Sequence, residues 1–199
     1  MANTYLTRTN GTPTSAYKYT FSCWVKRSAI NSRQRIMSVI NPSSTGSYAF
    51  VEFTSDNKLG FADYPGSSPY FNFQTNRLFR DVSAWYHIVV AVDTTQATAS
   101  NRQKLYINGV QETSFSTSGQ GNQNATVLAT TSGKTFYIGQ HGTAGFYMNG
   151  SMSHIHFIDG TAYDASYFGS IDSVTGEWKI NTSPSVTYGT NGFFILKDG

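Results

Sequence analysis

The chain is 199 residues long, with hydrophobic residues at 39%, aromatics at 15% and charged residues at only 13%. That apolar content supplies a core and excludes a disordered chain. The formal charge of +3 is spread thinly, and without a dense Lys/Arg cluster it excludes the footprint of a nucleic-acid binder.

No apolar run is long enough to span a bilayer by a helix, so membrane insertion is not expected. The opening Met-Ala-Asn-Thr-Tyr lacks the basic start and apolar centre of a secretion signal. Tyr5-Leu6-Thr7 is a short strand candidate, and residues 9–15 are a Gly/Pro/Ser/Thr loop. Residues 17–27 form the first long strand. Tyr19, Phe21, Cys23 and Val25 fall on one face, and Thr20, Ser22, Trp24 and Lys26 on the other. The tryptophan predicts that the second face is partly covered too. Cys23 is the only cysteine, so no internal disulfide forms, and it reads as a small buried hydrophobe.

A polar, basic connection carrying Arg33 and Arg35 leads to a strand at 36–40 and a turn at 41–46. Residues 47–54 and 58–63 read as a hairpin. Its first strand sets Tyr48, Phe50 and Glu52 against Ala49, Val51 and Phe53. Prolines and a glycine interrupt the ladder at 64–70, and it resumes at 71–75. Residues 85–92 are almost continuously apolar, which predicts a central strand packed on both faces or strong twisting with an outer cover. After a polar loop at 94–102, a strand at 104–107 runs into Asn108-Gly109, a type I′ turn, with 110–115 returning as its partner. Residues 116–124 read as an exposed loop, 134–139 as a strand and 141–145 as a Gly-rich loop. The strand at 151–158 points Ile155 and Phe157 to the core, with Met152, His154, His156 and Ile158 on the opposite parity.

Beyond residue 160 the pattern changes. Asp164 is placed to cap a helical turn docked by Tyr167 and Phe168. A short strand follows at 177–180. A last strand candidate at 192–196 is expected to pair with residues 5–7 or to lead to a further region. The sum is an all-β, two-sheet antiparallel sandwich over 1–160 with a short irregular C-terminal extension over 161–199. Its inner layers are expected to hold Phe21, Ile88, Val90, Tyr106, Ile138 and Ile155 or their immediate neighbours.

Several segments in order carry a resemblance: Tyr19-Thr20-Phe21-Ser22-Cys23-Trp24-Val25, Trp85-Tyr86-His87-Ile88-Val89, Leu105-Tyr106-Ile107-Asn108-Gly109, Phe136-Tyr137-Ile138-Gly139 and Asn149-Gly150-Ser151-Met152-Ser153-His154-Ile155. Together they resemble the laminin-G-like, or concanavalin A-like, lectin/glucanase superfamily. That resemblance implies a concanavalin A-like jelly roll. The tail is narrower. Phe157-Ile158-Asp159-Gly160-Thr161-Ala162-Tyr163, Thr175-Gly176-Glu177-Trp178-Lys179 and Tyr188-Gly189-Thr190-Asn191-Gly192-Phe193 resemble the version of this domain in virion proteins of tailed bacteriophages, marine ones especially. This implies a tail-fibre, appendage or capsid-surface component, made in the host cytoplasm and located in the virion. Its implied partners are other virion proteins, further copies of itself and host-surface polysaccharide.

Glycoside hydrolysis needs two carboxylates across a cleft, and glucanases of the superfamily usually carry a Glu-x-Asp-x-x-Glu strand. The glutamates here are Glu52, Glu112 and Glu177, none with a second carboxylate two or three residues away. A non-enzymatic structural or adhesive module, with no catalytic residues, is therefore expected. A freestanding calcium-assisted lectin and a glucanase-like hydrolase are the alternatives. Exposed aromatics stack on the apolar face of a sugar, which makes Tyr64 and Tyr70, with His141 in its Gly-rich loop, the ligand-binding candidates. The laminin-G resemblance also implies calcium at one rim, for which Asp63, Asp93 and Asp159 are the candidates. Turn-forming duties explain the same aspartates equally. His154 and His156 ligate a metal only if a third ligand arrives from elsewhere. No other cofactor is expected.

Overall fold

A computed structural model of the chain describes residues 4–44, 46–66, 69–142 and 145–197. The first strands are β1 (Leu6–Thr9), β2 (Lys18–Arg27), β3 (Gln34–Ile40), β4 (Tyr48–Phe53), β5 (Lys58–Tyr64), β6 (Phe71–Leu78) and β7 (Tyr86–Asp93). They are followed by β8 (Gln103–Ile107), β9 (Val110–Glu112), β10 (Phe115–Gly119), β11 (Thr135–Ile138) and β12 (Gly150–Asp159). The extension adds β13 (Gly169–Ile171), β14 (Trp178–Ile180) and β15 (Phe193–Ile195). A seven-stranded front sheet runs β1-β11-β3-β4-β5-β6-β10, and a six-stranded back sheet runs β15-β12-β2-β7-β8-β9. Every pairing is antiparallel, including the small β13–β14 ribbon. The chain is an all-β sandwich of the concanavalin A-like jelly-roll kind.

Alternation fills the space between the sheets. Phe21 and Val25 of β2 and Ile88, Val90 and Val92 of β7 meet Val51, Phe53, Phe61, Phe71 and Phe136 of the front sheet. Cys23 is fully buried among them, and burial pushes its thiol far above the ordinary range. The Asn108-Gly109 pair has φ of 49° and 82°, both positive, as the type I′ turn requires.

The double burial of β7 has a clear cause. Its core face carries Ile88 and Val90, while His87 and Val89 turn outward under the C-terminal extension. There Ala165 and Phe168 are buried against Val89 and Ile158, with Tyr163, Trp178, Val186 and Tyr188 packed around them. The Trp178 indole N–H donates to His87 Nδ1 at 2.9 Å, so the proton on His87 sits on Nε2 and points at Ser22 Oγ, also 2.9 Å away. Trp24 stacks on His87 at 5.0 Å. Trp178 also lies over the hairpin turn, where a Cβ on Gly109 would meet it at 2.4 Å.

The core contribution of β8 comes from Leu105 and Ile107, the immediate neighbours that the expectation allowed, while Tyr106 itself faces outward toward the extension. Several expectations are corrected. Met152 packs on the core rather than opposite Ile155, because β12 slips register between Ser153 and His156, and His154 takes φ of 45°. The strand partner of β8 ends at Glu112. The Glu112 carboxylate accepts from the N–H groups of Thr113 and Ser114 and pairs with Arg77 of β6 at 3.2 Å, which turns the chain across to the front sheet. Residues 115–119 are thus an edge strand there, not loop. The last strand pairs with β12, while β1 pairs with β11, so they join different sheets. Asp164 caps the 3-10 turn Ala165–Tyr167, but only Phe168 docks, and Tyr167 stays 42% exposed.

Candidate functional site

On the outer face of the front sheet, strand register assembles a groove. Tyr48 stands opposite Tyr64, Phe50 opposite Ala62, and Glu52 opposite Gly60. Across β5, Gly60 faces Gln74 and Ala62 faces Asn72, and β10 adds Thr117 beyond Gln74. Small residues on the middle strand therefore make a floor between an aromatic wall and an amide wall. The groove encloses about 160 Å³. Tyr64 stacks on Tyr48 at 4.9 Å and lies nearly parallel to Phe50 at 6.3 Å. Tyr48 and Phe50 are 6.0 Å apart.

Charge gathers at one end. Arg35 Nε lies 3.1 Å from Glu52 Oε2, with both side chains only 4% exposed. Arg33 Nε approaches the same oxygen at 3.5 Å from a side chain 46% exposed. The Arg35 guanidinium sits 3.7 Å from the Phe50 ring centre, and that of Arg33 5.4 Å from Phe146. Burial lowers Arg35 to about 10, against the opposing pull of Glu52. Burial likewise raises Glu52, with Arg35 and Arg33 working the other way. His141 meets Tyr48 edge-on at 5.3 Å. Burial, then the charges of Arg35 and Arg33, hold it down to about 4, so its imidazole is neutral near neutral pH.

Of the ligand-binding candidates, Tyr64 and His141 come together around Tyr48. Tyr70 does not join them; it packs on the main core, and its N–H bonds the Asp63 carbonyl at 2.8 Å. Ser67 and Ser68 of the first loop, and Thr143 and Ala144 of the second, lie outside the described residues. Tyr48, Phe50, Arg33 and Arg35 were not singled out as binding residues. The Tyr48/Phe50/Glu52 alternation was visible, but its alignment with Tyr64 depends on the β4–β5 register.

The calcium candidates scatter. Asp63 points into the core, where its carboxylate accepts from the Leu128 N–H at 2.7 Å and burial pushes it up to about 7. Asp93 is engaged by Lys18 at 3.3 Å, by the Thr95 N–H and hydroxyl at 3.0 and 2.6 Å, and by Gln96 at 2.8 Å. Asp159 accepts from the N–H groups of Thr14, Ser15 and Asn191 at 2.8, 3.2 and 3.2 Å. With Asp63 sealed in the core, the carboxylates of Asp93 and Asp159 held by protein donors, and all three in separate places, these residues do not fit the implied calcium site. Among the described residues, no three His, Cys, Asp or Glu side chains are grouped to hold a metal. His156 instead stacks on Phe194 at 4.1 Å and bonds the Tyr188 hydroxyl at 2.9 Å.

The groove offers little to hydrolysis. Glu52 is the one carboxylate among the described residues that line it, and two guanidiniums neutralise it. The Ser22–His87 pair is not an activated nucleophile either. His87 Nε2 already carries the proton, and both residues are sealed beneath the extension.

Comparison with solved structures places this architecture. The native heptameric SAP-like pentraxin from Limulus polyphemus superposes with a TM-score of 0.61 at 15% identity, over 96% of this chain and 88% of that one. The CBM40 of the Ruminococcus gnavus IT-sialidase, bound to α2,3-sialyllactose, gives a TM-score of 0.52 at 16% identity, over 74% and 89% of the two chains. Domains LG4-5 of the mouse laminin α1 chain give 0.56 at 12% identity, over 98% of this chain and 44% of that one. At such identities the likeness is one of fold. No curated protein sequence matches the chain. Residues 1–166 match the family model of the concanavalin A-like lectin/glucanases superfamily. With most of its length covered by that match and the jelly roll in place, the chain belongs to the concanavalin A-like lectin/glucanase superfamily.

Proposed function

We propose that this protein is a non-enzymatic glycan-binding module and that the front-sheet groove is where the sugar lies. The observation that carries this reading is the set of Tyr48, Phe50 and Tyr64 rings, 4.9 to 6.3 Å apart, facing Asn72 and Gln74 across a floor of Gly60 and Ala62. Stacked rings offer an apolar platform for a sugar face, and the opposite amides match its hydroxyls. The sialyllactose bound by the CBM40 of similar fold supports the same reading. In the wider setting, the tail motifs around Asp159, Trp178 and Tyr188 support a place in the virion of a tailed bacteriophage. There the module serves particle assembly or attachment to host-surface polysaccharide, alongside other virion proteins and copies of itself.

A glycan array of bacterial surface sugars, followed by calorimetry, tests the binding. Tyr64→Ala is expected to weaken the best ligand about 3- to 10-fold. Binding unchanged by a calcium chelator is expected, and a flat array for the intact protein rejects the reading. A reducing-sugar assay is expected to show no release, and release abolished by Glu52→Ala would replace a binding module with a hydrolase. Antibody labelling of purified particles addresses the virion setting, and particles without label would remove it.

A further inference from the structure

Resting on the glycan-binding reading, we infer that the groove selects sugars bearing an anionic substituent, a carboxylate or a sulfate, and that Arg33 is the residue that receives it. The argument begins with a charge count. Two guanidiniums, Arg33 and Arg35, share the single carboxylate of Glu52. The nearby Lys58 is already matched by Asp56 at 3.4 Å. His141 beside them is neutral near neutral pH. The aromatic end of the groove therefore holds one positive charge in excess.

The two arginines differ in what they leave open. Arg35 is sealed against Phe50 and closest to Glu52, so its role is to hold Glu52 and lend its charge. Its Nε and Nη1 are buried without a hydrogen-bond partner, and its ion pair is one of proximity rather than of directed bonds. Arg33 lines the groove, is about half exposed, and among the described residues makes only the ionic approach to Glu52 and its contact over Phe146. Its donor fork is thus accessible, with the Phe146 ring centre 5.4 Å away, which suits bidentate reception of an oxyanion. A sugar stacked on Tyr64, beside the Phe50 ring that Arg35 already covers, brings an acidic substituent to this end. An anion there supplies the missing countercharge in a partly dry groove, where it counts for more than in water. A neutral sugar of the same shape gains the stacking alone.

The experiment is an array in which each neutral oligosaccharide stands beside its carboxylated or sulfated counterpart, followed by calorimetry on the strongest pair. Oligogalacturonate against its methyl ester serves as a pair that differs by the carboxylate charge and one ester methyl per residue. The acidic member is expected to bind about 5- to 10-fold tighter, with the advantage shrinking as salt rises. Arg33→Gln should bring the acidic sugar to the level of the neutral one while leaving the neutral one unchanged, and Arg33→Lys should restore part of the difference. Equal binding of acidic and neutral members, or equal weakening of both by Arg33→Gln, overturns the selectivity and leaves glycan binding standing. Binding of neither class overturns both. If Arg33→Gln fails to fold, the wild-type acid-to-ester comparison and its salt dependence decide alone. A preference confined to carboxylates or to sulfates identifies which anion the site takes and supports the inference either way.

Discussion

The outer faces of the two sheets start from similar material and end in different states. Each presents polar and aromatic side chains on alternate positions. On the back face, the extension supplies partners. Thr20 donates to the Thr161 carbonyl and accepts from the Tyr163 N–H, His87 is bonded at both nitrogens, and His156 holds Tyr188. On the front face, buried atoms of Arg35, Glu52 and His141 have no hydrogen-bond partner. Apart from Trp24, whose buried Nε1 has no hydrogen-bond partner, the back face is committed to holding the molecule together. The front face keeps polar groups in reserve beside an open groove.

Changes on the closed face should cost stability and spare binding. Phe168→Ala removes a side chain only 1% exposed and is expected to lower the unfolding free energy by about 3–5 kcal/mol, read by denaturant titration, with glycan affinity retained. A loss of affinity with stability intact would reverse the assignment of the faces. Gly109→Ala strains a residue at φ 82° and drives a methyl into Trp178, for an expected loss of about 1–2 kcal/mol in the same titration.

The closed face should also be sensitive to acid. His87 and His156 are held at about 3 and about 4 by burial, against 6.5 when exposed. Between those values and 6.5 the unfolded chain binds more protons, so their contribution is complete above 6.5 and is lost as pH falls. Asp63 acts oppositely. Raised to about 7 from 3.8, it favours the folded state at low pH and loses that contribution as pH rises toward 7. With His141, also held to about 4, three imidazoles stand against the Asp63 carboxylate, so stability rises as pH rises across this window. Asp63→Asn should steepen this slope, and His87→Gln should flatten it, as read from denaturation midpoints across the window. The smallest effect belongs to the open face: Tyr64→Ala should change stability by only about 0.5–1 kcal/mol while weakening the glycan.

What was legible in the sequence was local. The faces of β2, the Asn108-Gly109 turn and the double burial of β7 follow from alternation and turn chemistry within a few residues. What was not legible depends on distant partners. The bulge at His154 moves Met152 to the core without a glycine or proline to announce it. The crossing at Glu112 rests on Arg77, 35 positions earlier, to which the carboxylate is bonded. The site divides the same way. Tyr64 and His141 stood out as aromatics in loops, but their meeting at Tyr48 is a matter of register. Asp63, Asp93 and Asp159 sit beside loops as a rim ligand would, yet backbone amides and neighbouring side chains reach each carboxylate first.

The Asp159 carboxylate has a practical consequence. It fastens Thr14 and Ser15 near one end of the polypeptide and Asn191 near the other to a single spot on β12. Anyone transplanting this sandwich to a new carrier must therefore move residues 4–197 as one block. A version trimmed after residue 160, where the hydrophobic rhythm changes, would strip Val89 and Ile158 of their shelter and should precipitate rather than yield a smaller sandwich.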